Sequence, residues 1–408
     1  MRRLFHALKR DDGQVIFMVP MMFATFLIFG ILIFDVGLSL VQRREYQNTS
    51  DKAALAAVVE LYEDGGDPVG TGQTWLERNG FDTSVVANWE IDQLDAESVK
   101  VSVSGPKAPF WSELIGLDWD VHAYAIAKAR RVPVRYSLMA MSPSDCSALW
   151  LGGQGSANIS GGGGTYTNST SDCGNGALRA SGGGSLVADF HHIRGSSGTS
   201  GGGVISQAPT EGVVRSDPYA DLVAPTMPGS CNNPSGSVLA PGCWRQKLTV
   251  SGGTVTLQSG LHIFQGGISV SAGSLVTDGP VVIYATCNPS PCNGSKVDIS
   301  ITGGDNVLVG PSEGSALYST YRNVVIWVDR TAGSNSTVKL AGQGNSGLSG
   351  SIYNIGSSVS LAGGASGTST ILNISVVADK ISIGGQGNIT LPWNPITAPS
   401  EIQAWLAE

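Results

Sequence analysis

Residues Val15 to Phe34 form an uncharged apolar run of twenty residues, VIFMVPMMFATFLIFGILIF, close to the start of a 408-residue chain. At ~1.5 Å rise per residue such a helix spans about 30 Å, the hydrocarbon thickness of a bilayer. A cleavable secretory signal has a shorter apolar core of roughly 7–15 residues followed by small residues. Here the run is followed by Asp35-Val36-Gly37-Leu38 and then the charged Gln42-Arg43-Arg44-Glu45. The expectation is an uncleaved transmembrane helix over 15–34, with the lipid bilayer as a partner and residues 1–14 as a cytoplasmic N-terminus. Pro20 and Gly30 are compatible with it, because membrane helices tolerate both.

Orientation rests on the basic residues and the cysteines. Arg2, Arg3, Lys9 and Arg10 precede the span, against Arg43, Arg44 and Lys52 after it, a slight bias to an inside N-terminus. Cys146, Cys173, Cys231, Cys243, Cys287 and Cys292 all follow it, and an even set of six suits disulfides in an oxidising compartment. Buried free thiols are the other reading. Short separations favour Cys231 with Cys243 and Cys287 with Cys292, leaving Cys146 with Cys173. Asp35 ends the apolar run, where a carboxylate at the membrane edge is either a functional group or a simple terminator of the span.

Beyond the span, Asp51-Lys52-Ala53-Ala54-Leu55-Ala56-Ala57-Val58-Val59-Glu60-Leu61 is built of helix formers, capped by Ser50 or Asp51 if the helix restarts there, and Gly65-Gly66-Asp67-Pro68 ends it. The order Asp12-Gly13-Gln14-Val15, apolar span, Asp35-Val36-Gly37, Arg43-Arg44, Gln47-Asn48 and Asp51 to Ala57 resembles the N-terminal segment of TadG-like proteins, the TadE/TadG group of Flp (Tad) pilus-assembly proteins. The resemblance covers roughly the first sixty residues. It implies a helical stalk on a bacterial inner (cytoplasmic) membrane, Tad pilus-assembly components or other envelope proteins as partners, and no catalytic role. Two departures limit it. The fifth residue after Gly13 is Met18 and not the glutamate of processed prepilins, so processing there is not carried over. The Asp-x-Ser-x-Ser metal signature of adhesion domains is missing, since Asp35-Val36-Gly37-Leu38-Ser39 has glycine in place of the first serine.

Residues 35–132 read as that stalk plus a small pilin-like α/β unit. A short helix is expected over 72–80, strands over 97–104 and 119–129, and a short amphipathic helix over Phe110-Trp111-Ser112-Glu113-Leu114-Ile115-Gly116-Leu117. Phe110 to Gly116 followed by His122 to Ala127 extends the resemblance to about residue 132.

After Pro133 the composition turns to Gly, Ser, Thr and Asn with strand-sized apolar runs such as Thr254-Val255-Thr256-Leu257, Val281-Val282-Ile283-Tyr284 and Val324-Val325-Ile326-Trp327-Val328. Leu151-Gly152-Gly153-Gln154-Gly155, Leu340-Ala341-Gly342-Gln343-Gly344 and Ile383-Gly384-Gly385-Gln386-Gly387 are near-copies, with a looser one at Leu361-Ala362-Gly363-Gly364. The last three recur at intervals of 21 and 22 residues, about the length of one solenoid coil. The fold class expected is therefore mainly β: the transmembrane helix and small α/β unit, then a right-handed parallel β-helix-like solenoid over 142–392. Residues 206–245 read as an insertion and 393–408 as a C-terminal tail. A β-sandwich with glycine-rich hairpins is the competing architecture. The glycine-rich β-helical domains of other TadG-like chains are similar.

Parallel β-helices also host polysaccharide lyases and hydrolases, which need converging carboxylates. The candidates are Asp189, His191 and His192, Asp217 and Asp221, and Asp329 with Arg330. Neighbours along one strand point to opposite faces, which separates His191 from His192 and Asp329 from Arg330. No phosphate loop, zinc spacing or basic patch occurs, so no cofactor or metal is expected, and a net charge of −8 disfavours nucleic acid. Two functions follow: a non-enzymatic membrane-anchored envelope protein for pilus assembly, anchoring or surface attachment, with surface polysaccharide as a further partner; or a membrane-tethered carbohydrate-active lyase or hydrolase.

Overall fold

The computed structural model describes residues 15–62, 66–81, 88–106, 119–341, 347–365 and 369–407. The chain is mainly β, with one long apolar helix at its N-terminus, and divides into two units, Met1–Arg131 with Ile402–Glu408, and Val132–Glu401.

In the first unit, helix α1 (Val15–Glu60) runs for 46 residues without a break. Ser50 is buried inside it and begins no new helix. Its N-terminal part is long and apolar enough to cross a membrane, and Met21, Phe23, Phe26 and Phe29 stand exposed. Its C-terminal part buries Ala53, Ala54, Ala57 and Val58. These pack with Val99, Val101 and Val103 of strand β2 (Ser98–Pro106) and Ala123, Ala125 and Ala127 of strand β3 (Asp120–Pro133). Alternation along both strands sends every second side chain to the helix, and alanine on both partners allows close approach.

Helix α2 (Pro68–Arg78) starts earlier than residue 72 because Asp67 Oδ1 accepts from the Gly70 backbone N–H at 2.8 Å and Pro68 suits the first turn. Strand β1 (Asn88–Gln93) pairs antiparallel with β2, and β2 with β3. The helix expected over Phe110 to Leu117 lies outside the described residues. Residues 393–408 are not merely a tail: Ser400–Leu406 is a strand beside β3, giving the order β1-β2-β3-C-terminal strand. This supplies the partner that the edge of β3 would otherwise lack.

The second unit is a solenoid-like stack of short strands in parallel register. Each circuit contributes to three rows of strands, and the first row already includes Tyr136–Ala140, ahead of the expected start at residue 142. One inward ladder of the second row runs Val250, Val270, Ile301, Leu340, Leu361, Ile383, Leu151, Ala180. All eight side chains are buried. The near-copies at Leu340, Leu361 and Ile383 therefore stack as successive circuits, and the copy at Leu151 lies next to Ile383 even though it comes first in the chain. The stack is permuted relative to the sequence: its earliest circuits sit on its latest.

The glycines of the repeat have a steric cause. Gly385 and Gly153 both adopt positive φ, +104° and +101°, at the same corner of neighbouring circuits. A Cβ on Gly153 would lie 2.4 Å from the Gly385 carbonyl oxygen, so neither backbone angle nor space admits a side chain. Gly342 to Gly344 of the copy that begins at Leu340 lie outside the described residues.

Candidate functional site

Asp35 lies within α1, 1% exposed, with Ser39 Oγ donating to its backbone carbonyl at 2.7 Å. The helix continues past it, so it does not cap a helix end. Further along, Gln42 Nε2 donates to the Pro106 carbonyl at 2.9 Å and Gln47 Nε2 to the Tyr124 carbonyl at 2.9 Å. These two amides lock the helix to the sheet edge where the membrane-length part ends.

The permuted order of the second unit requires a connection, which residues 206–237 provide. The strand Thr210–Glu211 first pairs with Phe190–Ile193 at one end of the first row. The segment next runs over the outer face of that row, meeting Tyr166, Tyr136 and Tyr353 in turn. Tyr166 Oη donates to the Val213 carbonyl at 2.9 Å, and Arg215 Nη1 pairs with Glu401 at 2.6 Å with its guanidinium over the Tyr136 ring. Tyr353 Oη donates to Asp217 Oδ2 at 2.5 Å, and Tyr219 Oη to Asn323 Oδ1 at 2.7 Å. Asn232 finally bridges Trp244 at the opposite end of the row. The segment is a strap that ties both ends of the stack.

Under the strap the outward residues of the first row form an aromatic strip. Tyr284, Trp327, Tyr353, Val377, Met139 and Tyr166 succeed one another in register, and Tyr219 and Leu222 of the strap pack over them. Trp327 meets Tyr284 and Tyr353 edge to face at 5.3 and 5.9 Å, the arrangement that ring quadrupoles favour. Burial pushes the Tyr219, Tyr353 and Tyr284 phenols well up from their ordinary range, so all three remain neutral hydrogen-bond donors. Arg330 donates to Tyr353 Oη and the Leu222 carbonyl, both at 2.8 Å, and to the Tyr219 carbonyl. Arg322 pairs with Asp221 and donates to the Pro218 carbonyl at 2.6 Å.

The carboxylates and histidines singled out from the sequence are therefore dispersed. Asp217 and Asp221 hold the strap from one side, and Arg330 from the other. Asp329 is buried, accepting from Thr286 Oγ1 at 2.7 Å, Thr331 N and Oγ1 at 2.9 and 2.8 Å and Cys292 N at 3.2 Å. Burial alone would raise its pKa, but these donors together hold it below the usual carboxylate range. His191 points inward, 1% exposed, to Thr165 Oγ1 at 2.8 Å, whereas His192 points outward to Tyr136 Oη at 2.7 Å. Desolvation brings His191 down to about 4. Among the described residues no group of three His, Cys, Asp or Glu is placed to hold a metal ion.

The six cysteines lie in three bonded pairs, Cys146–Cys173, Cys231–Cys243 and Cys287–Cys292. The second joins the end of the strap to the first row at its last strand. Sequence reasoning does not reach the strap's partners, because Tyr219 and Asn323 are 104 residues apart. One signal is present: Val324-Val325-Ile326-Trp327-Val328 is apolar at every position, so both faces of that strand demand cover.

The Flp pilus-assembly TadE/G-like family model matches residues 13–60. No curated protein and no solved structure matches the chain. The matched segment coincides with α1, from its membrane-length part to the alanines that pack on the sheet, and the match stops short of the second unit. Residues 13–60, at the head of a mainly β chain, are thus similar to the TadE/G-like Flp pilus-assembly family.

Proposed function

We propose that this protein is a non-enzymatic, single-pass envelope protein of the bacterial inner membrane that serves assembly, anchoring or surface attachment of a Flp/Tad-type pilus. The observation that carries the reading is the coincidence of the family match, residues 13–60, with a helix whose apolar side chains from Met21 to Phe29 are exposed. On this reading the N-terminus is cytoplasmic and the residues after Phe34 are extracytoplasmic, which the three bonded cysteine pairs support. The second unit acts as a rigid spacer, a right-handed parallel β-helix held by its strap. The parallel ladders and the single buried core running through them support that architecture.

Its partners are Tad pilus-assembly components or other envelope proteins. Asp217, Asp221, Asp329, His191 and His192 are engaged in holding strap and core, which favours the scaffold over a lyase or hydrolase. Reporter fusions at Met1 and Glu408 test the topology and should behave oppositely, with the periplasm-dependent reporter active only at Glu408. Co-purification from a membrane extract tests the partner: recovery of pilus-assembly components supports the proposal, and recovery of none of them from piliated cells refutes it.

A further inference from the structure

The outward face of the second row carries one large aromatic side chain in a line of small polar ones. In register the line runs Lys339, Ser360, Ser382, Trp150, Arg179, with ~4.8 Å between rungs. Trp150 is 41% exposed between Leu149 and Leu151, which are buried. Its indole does not swing free. Nε1 donates to Ser181 Oγ at 2.9 Å, and the six-membered ring lies against Gly152, where a Cβ would come within 2.4 Å of Cζ2. The ring is fixed flat on the wall with its far face open, and glycine at 152 is what lets it lie down.

The neighbours of the ring define what it accepts. Serines supply hydroxyls along one direction of the line, and Arg179 supplies a guanidinium on the adjacent rung, one arm of which donates to Ser200 Oγ at 3.1 Å. The line itself contains no carboxylate. On the same row two residues earlier along the strands, Asp298 pairs with Lys296 at 3.0 Å and Lys380 with Asp145 at 2.9 Å, so both carboxylates are neutralised. A sugar ring presents a face of C–H bonds and a rim of hydroxyls, so it stacks on indole while its rim meets serine and arginine.

We infer that this line is a binding strip for an acidic polysaccharide laid along the stack, one ring seated on Trp150 and a ring carboxylate on Arg179. Lys339 meets a second carboxylate further along the same chain. The strip belongs to the second unit alone and does not depend on the pilus reading. It is a binding site without cleavage.

The test is affinity electrophoresis of the detergent-solubilised full-length protein through gels containing polygalacturonate, alginate or hyaluronan, with hydroxyethyl cellulose as the neutral control. At least one acidic polymer should retard the protein more than the neutral one. Trp150→Ala and Arg179→Gln should each weaken that retardation about tenfold or more, at unchanged melting temperature. Gly152→Ala keeps the indole but displaces it, and should weaken binding to a similar degree; Ile371→Ala, exposed on another row, should not. Retardation by none of the three acidic polymers overturns the inference, as does equal retardation by cellulose or undiminished binding of the Trp150 and Gly152 variants.

Discussion

The backbone N–H of Ser156 donates a 3.1 Å hydrogen bond to Asn388 Oδ1 across 232 residues of chain. The same seam is sewn by Gly152 N to the Ile383 carbonyl at 2.8 Å and Met141 N to the Ala378 carbonyl at 2.8 Å. It joins the circuits that come first in the chain to those that come last, and a solenoid transmits stability only through such nearest-neighbour seams.

Leu151 and Ile383 face each other across that seam in the buried core. Leu151→Ala and Ile383→Ala should each cost about 2–5 kcal/mol. Because the two side chains are neighbours in register, the double variant should depart from additivity by roughly 0.5–3 kcal/mol. Leu151→Ala combined with Val250→Ala, six places away in the same ladder, should be additive. Urea unfolding of the three single and two double variants checks this, and strict additivity of the Leu151 and Ile383 pair would remove the permuted order.

How far the sequence reaches is clearest in these same residues. Leu340, Leu361 and Ile383 announce their stacking, because a constant interval with glycine at the corners has few other physical solutions. Leu151 carries the same pattern, but a near-copy has no direction, so nothing in it says whether its neighbour is the next circuit or the last. The strap is harder still. Asp217 and Asp221 look like free acids in a loop until Tyr353 and Arg322 are brought over them by the fold. The C-terminal strand is hard to read because Ser400 to Leu406 alternates only partly, with Ile402 and Ala404 only partly buried against the core. Local patterns reveal elements; pairings made by distant chain have to be seen.

Arg330 joins the strap to the stack at three acceptors, and its guanidinium also lies 5.3 Å from the Trp327 and Tyr353 ring centroids. Arg330→Ala leaves the Leu222 carbonyl without its Arg330 donor, at about 1–3 kcal/mol, whereas the Tyr219 carbonyl keeps the Leu222 backbone N–H at 3.0 Å. Limited proteolysis should then cut between residues 213 and 230 at rates well above wild type, while the exposed change Val214→Ala should leave the rate unaltered. Equal cleavage of wild type and Arg330→Ala would mean that the strap is held elsewhere.

Cys231–Cys243 closes a loop with a sequence separation of 12 at the far end of the strap. In the chain-entropy account a bridge over a loop of this size contributes about 3 kcal/mol. The double substitution Cys231→Ser with Cys243→Ser should lower stability by that order and shed the end of the strap near Asn232. Non-reducing peptide mapping checks the bonding directly, and a Cys231 bonded to any other cysteine would break the argument.

His191 gives the fold an acid-side weakness. It is buried, its Nε2 has no partner among the described residues, and desolvation, aided by neighbouring His192, holds its folded pKa at about 4 against an ordinary 6.5. A histidine with a depressed folded pKa is neutral in both states above pH 6.5, so its contribution to stability is complete there. As pH falls from 6.5 towards 4 the unfolded chain takes up the proton first and stability drops, by up to about 3 kcal/mol for a shift of this size at ~1.4 kcal/mol per unit. Below about 4 the folded form is protonated too and the loss levels off. His262, also buried and depressed by desolvation, adds to the same limb. Asp329, held low by its donors, acts only on further acidification. His191→Leu, which retains bulk and removes the proton site, should flatten the decline in melting temperature between pH 6.5 and 4.5 while leaving Asp329's loss at lower pH intact. A variant whose pH profile still tracks wild type over that interval would show that His191 is not the group being titrated.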